Sequence, residues 1–149
     1  MFTKLKKKLK KLNCVDSINR GGCGISALAI YKYLERKGKL VEDTAIVYLY
    51  ADDDDYIFYK NQNNRNLGFT VGPPAHAILR LGEYYIDSTN VSKNIKDFKH
   101  AYNSHEMSLD ELINSVNTGG WSFMFDREIE IPKIEKIMKV ELSEVEILD

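Results

Sequence analysis

Residues 23–37 carry Ile25, Ala27, Leu28, Ala29, Tyr31 and Leu34 at positions spread widely around a helix. A helix that is apolar on more than one side must be enclosed by other elements. This segment is therefore expected to be the central helix of the fold, with Gly38 ending it as a C-cap. Strands are expected at residues 44–51 and 56–60, which are β-branched or aromatic and flank the acidic turn at 52–55 as a hairpin. Residues 75–81 and 84–89 form a second hairpin around Gly82-Glu83, a two-residue turn. The stretch 61–74, with Gly68, Gly72, Pro73 and Pro74, reads as an irregular loop. Helices are expected at 92–102 and 108–117, and Pro132 allows another to begin near Lys133.

At 149 residues, with 44% apolar and 29% charged residues, the chain suits one domain able to bury a core without disulfides or metals. Two cysteines are too few for a secreted disulfide scaffold and fit a reducing, cytoplasmic setting. The first twelve residues hold six lysines and no acid, whereas the chain's net charge is −1. Leu5, Leu9 and Leu12 share a stripe, so residues 1–12 read as a basic amphipathic helix, followed by one domain over 13–149. The lysines suit an anionic membrane surface or nucleic acid. The plainer expectation is an end helix packed on the domain with its lysines in water. The first residues lack the apolar stretch and cleavage site of a secretory signal, and no window is apolar enough to span a bilayer.

Cys23 opens the central helix, where unpaired backbone N–H groups and the helix dipole favour a thiolate. Gly21, Gly22 and Gly24 give it little bulk, which is expected to let a substrate backbone approach and to leave amides free for an oxyanion. The bland alternative is a small buried residue filling space. The hairpin supplies two partners. A two-residue turn at Gly82-Glu83 pairs Leu81 with Tyr84 and, further out, His76 with Thr89, which sets Asp87 diagonal to His76 on one face. A carboxylate there would orient the imidazole and stabilise its charged form. A three-residue turn would send Asp87 to the other face. Taken singly, His76 could be a satisfied structural histidine and Asp87 a residue bonding the turn 87–90.

Gly22-Cys23-Gly24 entering a helix, His76-Ala77 on a strand and Tyr85-Ile86-Asp87-Ser88-Thr89-Asn90 on the next resemble the transglutaminase-like branch of the papain-like cysteine peptidase superfamily. The segment Asn19-Arg20-Gly21-Gly22-Cys23 is also similar to the Arg-Gly-Gly-X-Cys motif of arylamine N-acetyltransferases, with the intervening residue absent. The resemblance covers residues 19–90. It implies an α+β, papain-like core in which the nucleophile-bearing helix packs on an antiparallel sheet, with Cys23 as nucleophile, His76 as general base and acid, and Asp87 as the orienting residue. Papain-type enzymes place a Gln ahead of the nucleophile as an oxyanion donor. None precedes Cys23, so a backbone amide or Asn19 is expected to serve.

The expected activity is a cysteine hydrolase, namely a protease, amidase or deamidase, acting through a thioester on a protein, peptide or small amide or ester. A transglutaminase or other acyltransferase with the same triad is an alternative, as is a catalytically silent module using the basic helix to bind a partner. No cofactor is expected. No metal is expected either, since His100 and His105 are five apart and the 52–55 run lacks ligand geometry. Cys14 is expected to be a packing residue, and Trp121 to serve the core or a substrate cleft.

Overall fold

A computed structural model of the protein describes residues 2–51, 76–119, 121 and 124–142. It is an α+β fold with four helices and a five-stranded antiparallel sheet among these residues. The chain runs α1 (Thr3–Leu12), α2 (Cys23–Arg36), β1 (Thr44–Tyr50), β2 (His76–Leu81), β3 (Tyr84–Ile86) and β4 (Val91–Ser92). A 3₁₀ turn (Ile95–Asp97), β5 (Asn103–Met107), α3 (Leu109–Asn117) and α4 (Arg127–Met138) follow. The strand order is β4-β3-β2-β1-β5.

Side chains alternate across a strand, and here both faces of the sheet's centre are dry. Ile46, Tyr48, Tyr50, Ala77, Leu79 and Leu81 join the main core with α2. Val47, Leu49 and Ile78 form a second cluster on the opposite face, closed by Phe98. The enclosed α2 buries ten of its fourteen residues, as its apolar pattern requires. Its end is tied by Gly38 N–H to Glu35 O and Lys39 N–H to Leu34 O, with Gly38 at φ 66°. The helix α1 buries Leu5, Leu9 and Leu12 and packs on α4, and burial of a leucine stabilises by about 1.5–3 kcal/mol. Lys8 donates to Ile137 O at 2.9 Å, while Lys4, Lys6, Lys7, Lys10 and Lys11 remain exposed. No helix among the described residues is long and apolar enough to cross a membrane.

Two sequence expectations are corrected. The stretch 92–102 is not a helix. It gives the end of β4, one 3₁₀ turn capped by the Asn94 side chain accepting from Lys96 N–H, and the approach to β5. Ile95, Phe98 and Ala101 sit at helix-like spacing, but the spacing serves to cover the second sheet face. β1 is paired along both edges, by β2 on one side and β5 on the other, and the second strand of the hairpin expected with it falls on 56–60. Residues 56–60 and 61–74 lie outside the described residues. Finally, α4 begins at Arg127, ahead of Pro132. Asp126 caps it by accepting from Ile129 N–H at 3.2 Å, and burial of Ile134 and Met138 offsets the bond that Pro132 removes.

Candidate active site

The β2–β3 hairpin fixes the site. Leu81 faces Tyr84, Arg80 faces Tyr85 and Leu79 faces Ile86, the register of a two-residue turn. Gly82 takes φ 60° at the first central position, as a type II′ turn demands. β3 is shorter than the expected 84–89, since Asp87 leaves the ladder to build a turn. One carboxylate oxygen, Oδ1, accepts from Thr89 N–H at 2.7 Å, Thr89 Oγ1 at 2.6 Å and Asn90 N–H at 3.0 Å. The other, Oδ2, accepts from His76 Nε2 at 2.8 Å. Asp87 is thus a turn-bonding residue and a histidine partner at once. The turn holds the carboxylate still while it holds the ring.

The other hydrogen-bond partner of the His76 ring is Cys23. Burial on its own would lower the His76 pKa. The hydrogen bond to Asp87, the hydrogen bond to Cys23 and the charges of both partners outweigh it and raise the group from 6.5 to about 9. Burial likewise opposes the Asp87 carboxylate, but hydrogen bonds from His76 and Thr89, with the His76 charge, hold it below the usual carboxylate range. The three side chains expected to act together are therefore together. All three are buried, with Cys23, His76 and Asp87 exposed by 2%, 3% and 4%.

Cys23 is the first residue of α2, whose N-cap, Gly22, offers no side-chain cap. The first intrahelical bond runs from Ser26 N–H to Gly22 O at 2.8 Å. The amides of Cys23, Gly24 and Ile25 precede it, where a helix has no carbonyls of its own to offer. The glycines have a different reason from the one expected. A Cβ on Gly24 would lie 2.1–2.3 Å from the Trp121 indole, and one on Gly22 would lie 2.7 Å from the Phe125 ring. Both positions admit aromatic packing. Trp121 is a core residue, 4% exposed, with its indole N–H donating to Ser115 Oγ at 2.9 Å.

Asn19 is not placed as an oxyanion donor. Its Nδ2 donates to Asn13 Oδ1 at 2.8 Å, and its Oδ1 shares with Asn13 Oδ1 the proton of the buried Ser88 hydroxyl, at 3.1 and 3.0 Å. This clasp ties the loop entering α2, at whose end Cys23 lies, to the turn leaving Asp87. Sequence reasoning missed it, because Asn13 and Ser88 are 75 positions apart. It also missed His100, which partial burial, then the charges of His76 and Lys99, push below its usual value. Cys14 is exposed rather than packed, its thiol donating to Lys10 O at 3.3 Å. No family model matches the chain, and neither a curated protein nor a solved structure matches it.

Proposed function

We propose that the protein is a cysteine-dependent hydrolase, working through a thioester acyl-enzyme on a papain-like, transglutaminase-like core. The observation that carries this reading is the buried chain from the Cys23 thiol through His76 to Asp87, with His76 raised to about 9. A ring that stays protonated at neutral pH stabilises a thiolate beside it and has a proton ready for a leaving group. The Cys23 sulfur attacks the carbonyl carbon of an amide or ester, and the carbonyl π pair moves onto oxygen. Amides of the first turn of α2 donate to that oxyanion. Collapse breaks the bond to the leaving group, which takes the proton from His76. Water then attacks the thioester, His76 accepts its proton, and the acid departs as the thiolate reforms. Asp87 holds the ring's orientation throughout. An amine in place of water would give a transglutaminase with the same residues. Two free thiols suit the reducing cytoplasm, where we place the activity.

The burial of the thiol favours a second reading, a catalytically silent module whose triad is structural and whose exposed lysines on α1 hold a partner. The exposed Cys14 is an internal reference that separates the two. Under the hydrolase reading, iodoacetamide at pH 6 alkylates Cys23 faster than Cys14, and Cys23→Ala removes p-nitrophenyl acetate turnover. Faster labelling of Cys14 together with turnover unchanged in Cys23→Ala would sink it.

A further inference from the structure

The opposite end of α2 from Cys23, about 21 Å away at 1.5 Å per residue, holds a cavity of ≈ 610 Å³. It lies between the start of α1, the last turn of α2, Val41 and the Gly82-Glu83 turn. Its volume falls within the roughly 300–1,000 Å³ common to ligand sites. Leu5, Tyr33, Leu34 and Leu81 form a buried apolar floor. Phe2 and Tyr84, edge to face at 4.9 Å, close one wall. Lys4, Lys37 and Lys39 stand exposed around it. Among the described residues the one acid in its lining, Glu83, is paired with Lys93 at 3.3 Å, so these residues present uncompensated positive charge.

We propose that this cavity binds a small amphipathic anion, an aliphatic chain bearing one carboxylate, with the chain on Leu5, Tyr33, Leu34 and Leu81 and the head group at Lys37 and Lys39. The floor rewards removal of methylene groups from water, and the lysines give the head group a place that a neutral alcohol would not use. This site is separate from the triad and does not depend on its activity.

Octanoate, hexanoate and 1-octanol test it by NMR titration of the full chain. Octanoate is expected to shift the amides of Leu34, Val41 and Gly82, with hexanoate about tenfold weaker for its two missing methylenes. Lys37→Gln with Lys39→Gln, both at exposed positions, should bring octanoate down to the level of 1-octanol. Val41→Asp, at a half-exposed position beside the floor, should remove binding. Equal affinity for octanoate and hexanoate, or for octanoate and 1-octanol, would overturn the proposal, as would indifference to the lysine changes. Absence of octanoate shifts would also overturn it, and so would protection of Cys23 from iodoacetamide by octanoate, which would put the ligand at the other end of α2. Concentration-dependent shifts at these amides without ligand, removed by Val41→Asp, would assign the cavity to a second copy and overturn it equally.

Discussion

The two ends of α2 use the same helix in opposite ways. At its start, Cys23, His76 and Asp87 are buried, both Asp87 carboxylate oxygens are engaged, and aromatic rings sit against the glycines. At its end, a void remains and lysines face water. A fixed polar chain in a dry site suits directional chemistry, whereas a cavity ringed by exposed lysines suits a class of ligand. Substitutions at one end should therefore leave the other untouched, which makes the contrast breakable.

The largest effect is expected from Asp87→Asn. The amide keeps the shape but loses the charge, and turnover should fall by about 10³-fold or more, by analogy with loss of the orienting carboxylate in other triads. The pH profile should move with it. In the native protein the alkaline limb is expected to fall as pH passes about 9, where His76 would lose its proton, and in the variant that limb should shift downward. Stability follows the same groups. The raised His76 value contributes stability that is fully present below its unfolded 6.5 and is lost as pH rises through about 9. The lowered Asp87 value contributes stability present above its ordinary 3.8 and lost as pH falls through its folded value. Urea unfolding should thus show this pair's full contribution between pH 3.8 and 6.5, and a declining one on either side. An unchanged alkaline limb in Asp87→Asn would detach His76 from its proposed role.

Next in size is Gly24→Ala. The added methyl meets the Trp121 indole, whose N–H is anchored to Ser115, so the ring cannot swing away freely. Overpacking of this kind costs about 1–3 kcal/mol, and thermal unfolding should show it. A neutral outcome would mean that the start of α2 is looser than its packing indicates, and the contrast between the two ends would weaken.

Gly24 also marks how far the sequence could be read. The hairpin register was legible because a two-residue Gly-Glu turn between strand-like runs leaves one pairing, and that pairing places His76 and Asp87 together. α1 was legible from its leucine stripe and α2 from its apolar pattern and its Gly38 C-cap, whose N–H donates to Glu35 O. The glycines' packing reason was not, since Trp121 is nearly a hundred residues downstream. Nor was β5, whose Asn103–Met107 run has too few apolar residues to alternate, and which is a strand because β1 had an open edge. The expected helix over 92–102 failed for a related cause. Ile95 and Phe98 are spaced to fit a helix, but a sheet face was what they had to cover. Long-range partners decide such segments, and local pattern does not contain them.

The smallest effect is expected from Ser88→Ala. Its hydroxyl proton is shared between Asn13 and Asn19 at the join between the loop entering α2 and the Asp87 turn. Asn13 is exposed, so water can replace the lost partner on that side, and the net cost should be about 1 kcal/mol in urea unfolding. If the clasp only stabilises, Cys23 alkylation in the folded protein should keep its native rate. If it sets the thiol against His76, alkylation should slow while octanoate binding at the far end of α2 stays the same. The second result is the one expected, because the three residues join the segments carrying Cys23 and Asp87 and are not among the residues lining the cavity. A matching loss at both ends would show that Ser88 loosens the helix as a whole, and the independence of its two ends would fail.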